Sequence, residues 1–396
     1  MTVSAELHRP TLAPQLTARE LDVSTLSDAQ LADWRDLTQQ SGSGAFFASP
    51  MFVRTFASVF SDRTSISILC FYDTENRMCG LVPLMRNRVR RGPSFNTRYS
   101  YQDADYDLLQ APPPKLSLPA AQLSTPLGLE PTALRSEILA APEMYQTIVK
   151  AIPAAIADLN GWNLGVFVLD DDDCSAFAQG PLRTLKRPLD RNLKFVSKVQ
   201  PADAFVALQN QKFRQNVRRS VKFSKNAGAT FEIIRGAEDV LPAMIEFDDL
   251  ARRSWKNIKN GGRAVSEEVL IPFNARQNQF FISLIQLDEA EPVMVAARID
   301  GVMISAMLMS LHCNRLLTFL IYSDVEHARL GIGRLTLHTA IDFAHAEGVD
   351  EIDYNSNASW TIPYSDRVSK RSNMIFTAPS LAGRWRHELA KRLAHD

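Results

Sequence analysis

The feature that most constrains the fold lies between Pro292 and Tyr354. Three apolar runs, 292–299, 302–311 and 316–323, are separated only by Asp300-Gly301 and by residues 312–315. Strands joined by so few residues pair as antiparallel neighbours, and Asp-Gly is a type I′ turn sequence. A loop containing Gly331 and Gly333 follows. Residues 332–347 then show a helical pattern, with Leu335, Ile341 and Ala344 among its apolar positions. Gly348 ends that helix, and 349–354 reads as one more strand. The order strand, strand, strand, Gly loop, helix, strand predicts an α/β unit with a mostly antiparallel sheet.

The first half has the same cadence. Ser49-Pro50 opens a helix over 50–60, with Phe52, Phe56 and Val59 or Phe60 on its apolar face. The runs 65–72 and 78–85 form a hairpin around 73–77. Residues 98–122, with three consecutive prolines from Pro112, read as a loop. A helical pattern over 144–159 stops at Asn160-Gly161, and 162–169 reads as a buried strand. Segments 144–169 and 337–354 are comparable, so the chain reads as two copies of one unit. Helices over 213–225, 241–256 and 280–288 lead into the second meander. Residues 1–30, rich in Ser, Thr, Pro and Ala, read as a loosely held arm.

Composition narrows the function classes. Lysine plus arginine and aspartate plus glutamate both number 44, so no global charge draws the chain to nucleic acid, and no DNA partner is expected. The 4 cysteines include no CxxC or CxxH pair, which predicts reduced buried thiols and no metal; Cys70 and Cys79 flank the hairpin turn. The most apolar run, 302–311, is about half the length that crosses a bilayer. The first residues lack a basic segment followed by an apolar one, so a signal peptide is not expected. These features predict a cytoplasmic protein.

The charge is unevenly placed. From Arg183 to Lys225 there are twelve basic and two acidic residues, a net of +10. Arg214, Arg218 and Lys222 repeat every four residues, and Phe213, Val217 and Val221 form the neighbouring stripe. Such a helix suits an anionic substrate such as a lipid-linked sugar pyrophosphate, an anionic membrane or a tRNA, or is a solvated face. The helix over 241–256 carries Trp255, suited to stack on a sugar ring, and Lys256, suited to a phosphate. The tail 380–395 repeats Leu381, Trp385, Leu389 and Leu393 among cations. It predicts a basic amphipathic helix that docks back on the body or meets an anionic membrane or an anionic nucleotide regulator.

The segment LLTFLIYSDVEHARLGIGRL, 316–335, is the strongest candidate site. A glycine loop opening a helix presents backbone N–H groups and the helix dipole to an anion. Arg329 and Arg334 add charge-assisted contacts. The third glycine of a dinucleotide fingerprint and the Lys-Ser/Thr of a P-loop are both missing. Asp353 alternates with Ile352, which suits a general base, and Tyr364 is a candidate proton donor. No GxSxG elbow or His-based triad is present, so covalent catalysis is not expected.

These segments together resemble the double-GNAT, Fem-like branch of the GNAT N-acyltransferases found with cellulose and exopolysaccharide biosynthesis. The resemblance rests on FASPMFV at 47–53, VPL at 82–84, KFRQNVRRSVK at 212–222, SWK at 254–256, Gly331-Ile332-Gly333-Arg334-Leu335 and DEIDY at 350–354. It spans about residues 40–375, and its specificity lies in the order of the segments. It implies an α/β (α+β) fold of two tandem GNAT-like units, 31–195 and 196–375, between the arm and the basic tail 376–396. It further implies an acyl-CoA co-substrate, acetyl-CoA first, held by Leu320, Ile321, Tyr322, Arg329, Gly331, Ile332, Gly333 and Arg334. A backbone N–H near Ile321 would polarise the carbonyl. The implied acceptor is an amine on a sugar or lipid-linked saccharide, bound by Arg214, Arg218, Trp255 and Lys256, with Asp353 and Tyr364 as catalytic residues. A location peripheral to the inner membrane face goes with such an acceptor. Two departures stand: Ala328 replaces the Gln or Arg common three residues before the first glycine, and 355–367 lacks the usual acidic-Gly segment and Tyr-Lys pair. The alternatives are a Fem-type transferase using aminoacyl-tRNA and a degenerate GNAT-fold binding module. A long helical hairpin arm between the units would favour the tRNA-using form, and no such insertion is legible.

Overall fold

The structure, a computed structural model, describes residues 16–41, 46–60, 65–91, 118–124, 138–160, 162, 164–254, 275–287, 289–355, 359–380, 383–384 and 387–388. In chain order the first unit contains β1 (Thr17–Asp22), α1 (Asp28–Gln40), α2 (Pro50–Phe60), β2 (Ser65–Tyr72), β3 (Met78–Arg91), β4 (Leu118–Ser124), β5 (Leu139–Ala140), α3 (Tyr145–Ala157), β6 (Leu164–Asp170), α4 (Asp171–Phe177) and β7 (Arg183–Lys198). The second contains α5 (Ala202–Ala207), α6 (Gln211–Asn226), β8 (Thr230–Arg235), α7 (Ala237–Arg253), α8 (Ala275–Ile285), β9 (Glu291–Ile299), β10 (Val302–His312), β11 (Arg315–Ser323), α9 (Ile332–Ala346), β12 (Glu351–Asp353) and β13 (Arg367–Thr377).

Twelve of these strands lie side by side in the order β1-β2-β3-β4-β6-β13-β7-β12-β11-β10-β9-β8, with β5 pairing separately on β3. Read from either end, the order is the same unit twice. Each has an edge strand, two helices, an antiparallel meander, a crossover helix and a strand parallel to the last strand of the meander. The repeat read from 144–169 and 337–354 is thus the pair α3–β6 and α9–β12. The local rules hold too: Asp300 and Gly301 both take positive φ in the β9–β10 turn, as a type I′ hairpin requires.

The final strands are exchanged. β7 leaves the first unit to pair with β12 of the second, and β13 returns to pair with β6 of the first. The boundary expected at 195/196 therefore falls inside a strand. The arm is also shorter than expected, because Thr17–Asp22 pairs with β2 and Ser27 closes a capping box on α1. Residues 118–122, expected as loop, are part of β4.

Alternation along the strands sorts the side chains into layers. On one face a continuous core joins the units: Trp34, Phe52, Phe56 and Ile68 pack with Phe247, Phe280, Leu317 and Tyr322. The Phe52 and Phe280 rings meet at 5.3 Å between α2 and α8. On the other face each crossover helix covers its own core, α3 over Leu69, Phe71 and Phe167, and α9 over Val293, Val295, Leu316 and Ile352. Cys70 and Cys79 face opposite layers and are free, as is Cys174. Within the tail, His387 is buried and Arg183 reaches Glu388 at 3.7 Å, so that part docks on the body. Leu381, Trp385, Leu389 and Leu393 lie outside the described residues. No helix among the described residues is long and apolar enough to cross a membrane.

Candidate active site

The site begins where the sheet forks. β11 pairs with β12 over Arg315–Leu317 alone, and beyond Leu317 its strand partner is β10. Thr318 Oγ1 bridges the start of the fork by donating to Tyr354 O at 2.6 Å. Of the three expected contact residues here, Ile321 packs in the layer under α9, whereas Leu320 and Tyr322 face the shared core. A ligand in the fork on the α9 side meets Ile321 first.

At the C-terminal end of β11 the chain turns through a short helix, Ala328–Leu330, and reaches Gly331. Gly331 is the N-cap of α9, with φ +65°, and no side chain caps the helix. The N–H groups of Ile332 and Gly333 therefore have no capping side chain and lie at the positive end of the helix dipole. Arg329 is exposed next to them.

The glycines themselves serve packing rather than ligand approach. A Cβ on Gly331 would lie 2.2 Å from Ser220 Oγ of α6, and one on Gly333 would lie 2.6 Å from Ser323 Oγ. Beneath them Ser323, Ser305 and Thr336 join in a hydroxyl chain, each link 2.9 Å. Arg334, expected on the anion, lies over the Phe213 ring, 5.1 Å from its centre.

α6 therefore seats on the loop with a stripe the sequence reading misplaced. Val217, Ser220 and Ser224 are its buried residues, while Val221 is 50 % exposed. Small hydroxyl side chains let the helix approach the loop, where a valine would stand it off. Arg214 is not free for a substrate: its Nη1 donates to Gln209 O at 2.7 Å and Ala207 O at 3.3 Å, pinning the α5–α6 turn. Arg218 is exposed on the outer face of the helix. Trp255 and Lys256 lie outside the described residues.

Tyr364 is buried, 1 % exposed, in the core layer under α9. It ends the short helix Ser359–Tyr364 that follows β12, and Phe205 and Phe213 flank its ring. Its hydroxyl is 2.7 Å from Nε2 of His338 on α9. Nothing local signals this pairing, because His338 is 26 residues away and sits amid an apolar helix. Burial raises the Tyr364 phenol above its ordinary value and pushes His338 down to about 4. Near neutral pH both are uncharged. In its Nε2–H tautomer, His338 donates to the phenol oxygen and leaves the phenol proton available to a leaving group.

Asp353 is only 4 % exposed, on the sheet face opposite Ile352. Its Oδ1 accepts the Asn355 N–H at 3.0 Å and ends the strand. That contact makes an Asx turn that shapes the end of β12. Asp248 on α7 is pushed up to about 6 by burial, and its buried Oδ1 has no hydrogen-bond partner. No group of three or more His, Cys, Asp or Glu side chains among the described residues is placed to hold a metal.

Residues 211–359 match the family model described as an acetyltransferase (GNAT) domain. The second unit therefore carries a region similar to GNAT acetyltransferase domains. The GNAT match runs from the start of α6 to the helix that carries Tyr364, so it contains the fork, the loop and His338. Among solved structures, FemX is 11% identical and aligns over 90% of this chain and 96% of its own, with a TM-score of 0.55. A conserved protein of unknown function from Bacteroides thetaiotaomicron is 9% identical over 89% of this chain and 99% of its own, at 0.50. A tandem GNAT protein from the clavulanic acid biosynthesis pathway is 10% identical over 92% and 100%, at 0.47. No curated protein matches the sequence. The likeness to FemX is one of fold and covers both units.

Proposed function

We propose that this chain is an N-acyltransferase that takes its acyl group from acyl-CoA, acetyl-CoA first, and delivers it to an amine on a sugar or lipid-linked saccharide of the cell envelope. The observation that carries the reading is the fork between β11 and β12 lying beside an uncapped helix N-terminus. The first-turn N–H groups of α9 and the Arg329 guanidinium fit the pyrophosphate of such a donor. The fork accepts an extended arm past Ile321, in the layer that also holds Tyr364.

The donor supplies a thioester. The acceptor nitrogen, once deprotonated, forms the C–N bond as the C–S bond breaks. A backbone N–H near Ile321 polarises the carbonyl. Tyr364 delivers its proton to the departing sulfur, with His338 holding the phenol in place. The acceptor amine reacts in its neutral, deprotonated form. The structural likeness to FemX keeps an aminoacyl-tRNA donor as the competing outcome. Among the described residues, only the short α5–α6 pair links β7 to β8.

Isothermal titration of acetyl-CoA into the pure protein tests the donor. We expect one-to-one binding, weakened about tenfold by Arg329→Glu, which places a carboxylate where a phosphate is expected. Heat from a charged tRNA with none from acetyl-CoA would overturn the reading.

A further inference from the structure

We propose that the protein docks on an anionic lipid surface through a patch made by the α5–α6 turn, the helix Ser359–Tyr364 and the outer face of α6. The proposal stands apart from the acceptor's identity, since it concerns where the enzyme sits and not what it acylates.

Two observations carry it. The first is apolar. Leu208 is 77 % exposed, Ile362 is 52 % exposed and Trp360 is 38 % exposed. They belong to segments far apart in sequence that the fold ties together: Gln209 Nε2 donates to Pro363 O at 2.9 Å, and Phe205 packs on Tyr364. Three large apolar side chains held outward on one hydrogen-bonded platform are costly in water, and a tryptophan among them is suited to a membrane–water boundary.

The second is electrostatic. α6 begins at Gln211, three residues after Leu208, and its sequence QKFRQNVRRSVKFSKN contains no acid. Lys212, Arg218, Arg219, Lys222 and Lys225 are all exposed, and none is ion-paired among the described residues. The chain as a whole is neutral, so this single-sign face is local. Cations beside an apolar platform match an anionic bilayer, in which headgroup phosphates pair with the lysines and arginines while the apolar side chains enter the interface. A soluble polyanion would use the cations and leave Leu208 and Ile362 without a role. The docking would place the short helix that ends in Tyr364 against the surface, because that helix carries Trp360 and Ile362.

Sedimentation with large unilamellar vesicles tests this. The parent protein should bind vesicles containing phosphatidylglycerol, bind pure phosphatidylcholine weakly, and lose most binding as salt is raised. The Leu208→Glu/Ile362→Glu and Lys222→Glu/Lys225→Glu variants should each lower the partition coefficient by about tenfold or more. All four positions are exposed, so the thermal midpoint should be unchanged, and the lysine pair stands as the test if the apolar pair is damaged. No binding to phosphatidylglycerol vesicles at low salt would overturn the proposal. So would binding that the apolar pair leaves intact, or binding to single-stranded RNA without binding to vesicles.

Discussion

Tyr364→Phe should lower kcat about a hundredfold or more while leaving the dissociation constant for acetyl-CoA within about twofold, because the lost group acts on the leaving thiolate. Phenylalanine keeps the ring between Phe205 and Phe213, so the packing survives and only the proton is removed. Release of free thiol, followed by a colorimetric reagent at saturating acceptor, reads the effect. His338→Gln should give a smaller loss in the same direction, since glutamine can still donate to the phenol oxygen. A second readout separates that role from structure. His338 is held down to about 4, below the ordinary histidine value of 6.5. The unfolded chain therefore binds more protons between those values, and stability falls as pH drops through that window. His338→Gln should flatten that part of the stability profile. An unchanged kcat in Tyr364→Phe would remove Tyr364 from the mechanism.

Gly331→Ala should destabilise the protein by about 3 kcal/mol, combining about 1–2 kcal/mol for an L-residue at φ +65° with a comparable overpacking cost. The new methyl would press on Ser220 Oγ, so α6 would have to move off the loop. Removing the obstacle with Ser220→Gly should recover the overpacking part and leave the backbone part. The double variant should therefore be more stable than the two single effects summed. Chemical denaturation of the four proteins measures the coupling. If Gly331 were kept instead for ligand approach, Gly331→Ala would weaken acetyl-CoA binding with little loss of stability, and Ser220→Gly would rescue neither.

The same residues show how much of the molecule was legible in the sequence. The hairpins at 73–77 and 300–301, the glycine loop and both crossover helices follow from local rules, because turn chemistry and the 3.6-residue period are local. β7 was not legible. It carries Arg183, Lys186, Arg187, Arg191, Lys194 and Lys198, and it reads as a soluble basic segment. It is a strand because β12 and β13, from the other unit, flank it. The exchange of final strands has no local signature. At the site, the loop was legible from motif order and Tyr364 from its place after the last strand. His338 and Ser220 were missed because each acts through a partner distant in sequence. Arg214 and Val221 were misassigned because charge and helical stripe do not say which partners a side chain meets.

The central claim is acyl transfer from a thioester to an amine at the fork in the second unit. The measurement that tests it most directly is thiol release from acetyl-CoA with and without an amino sugar acceptor, with the acylated product identified by mass. Release should require the amine, give an N-acetyl product in equal amount, and be lost together with that product in Tyr364→Phe. Release that is independent of the amine, or that persists unchanged in Tyr364→Phe, would contradict it.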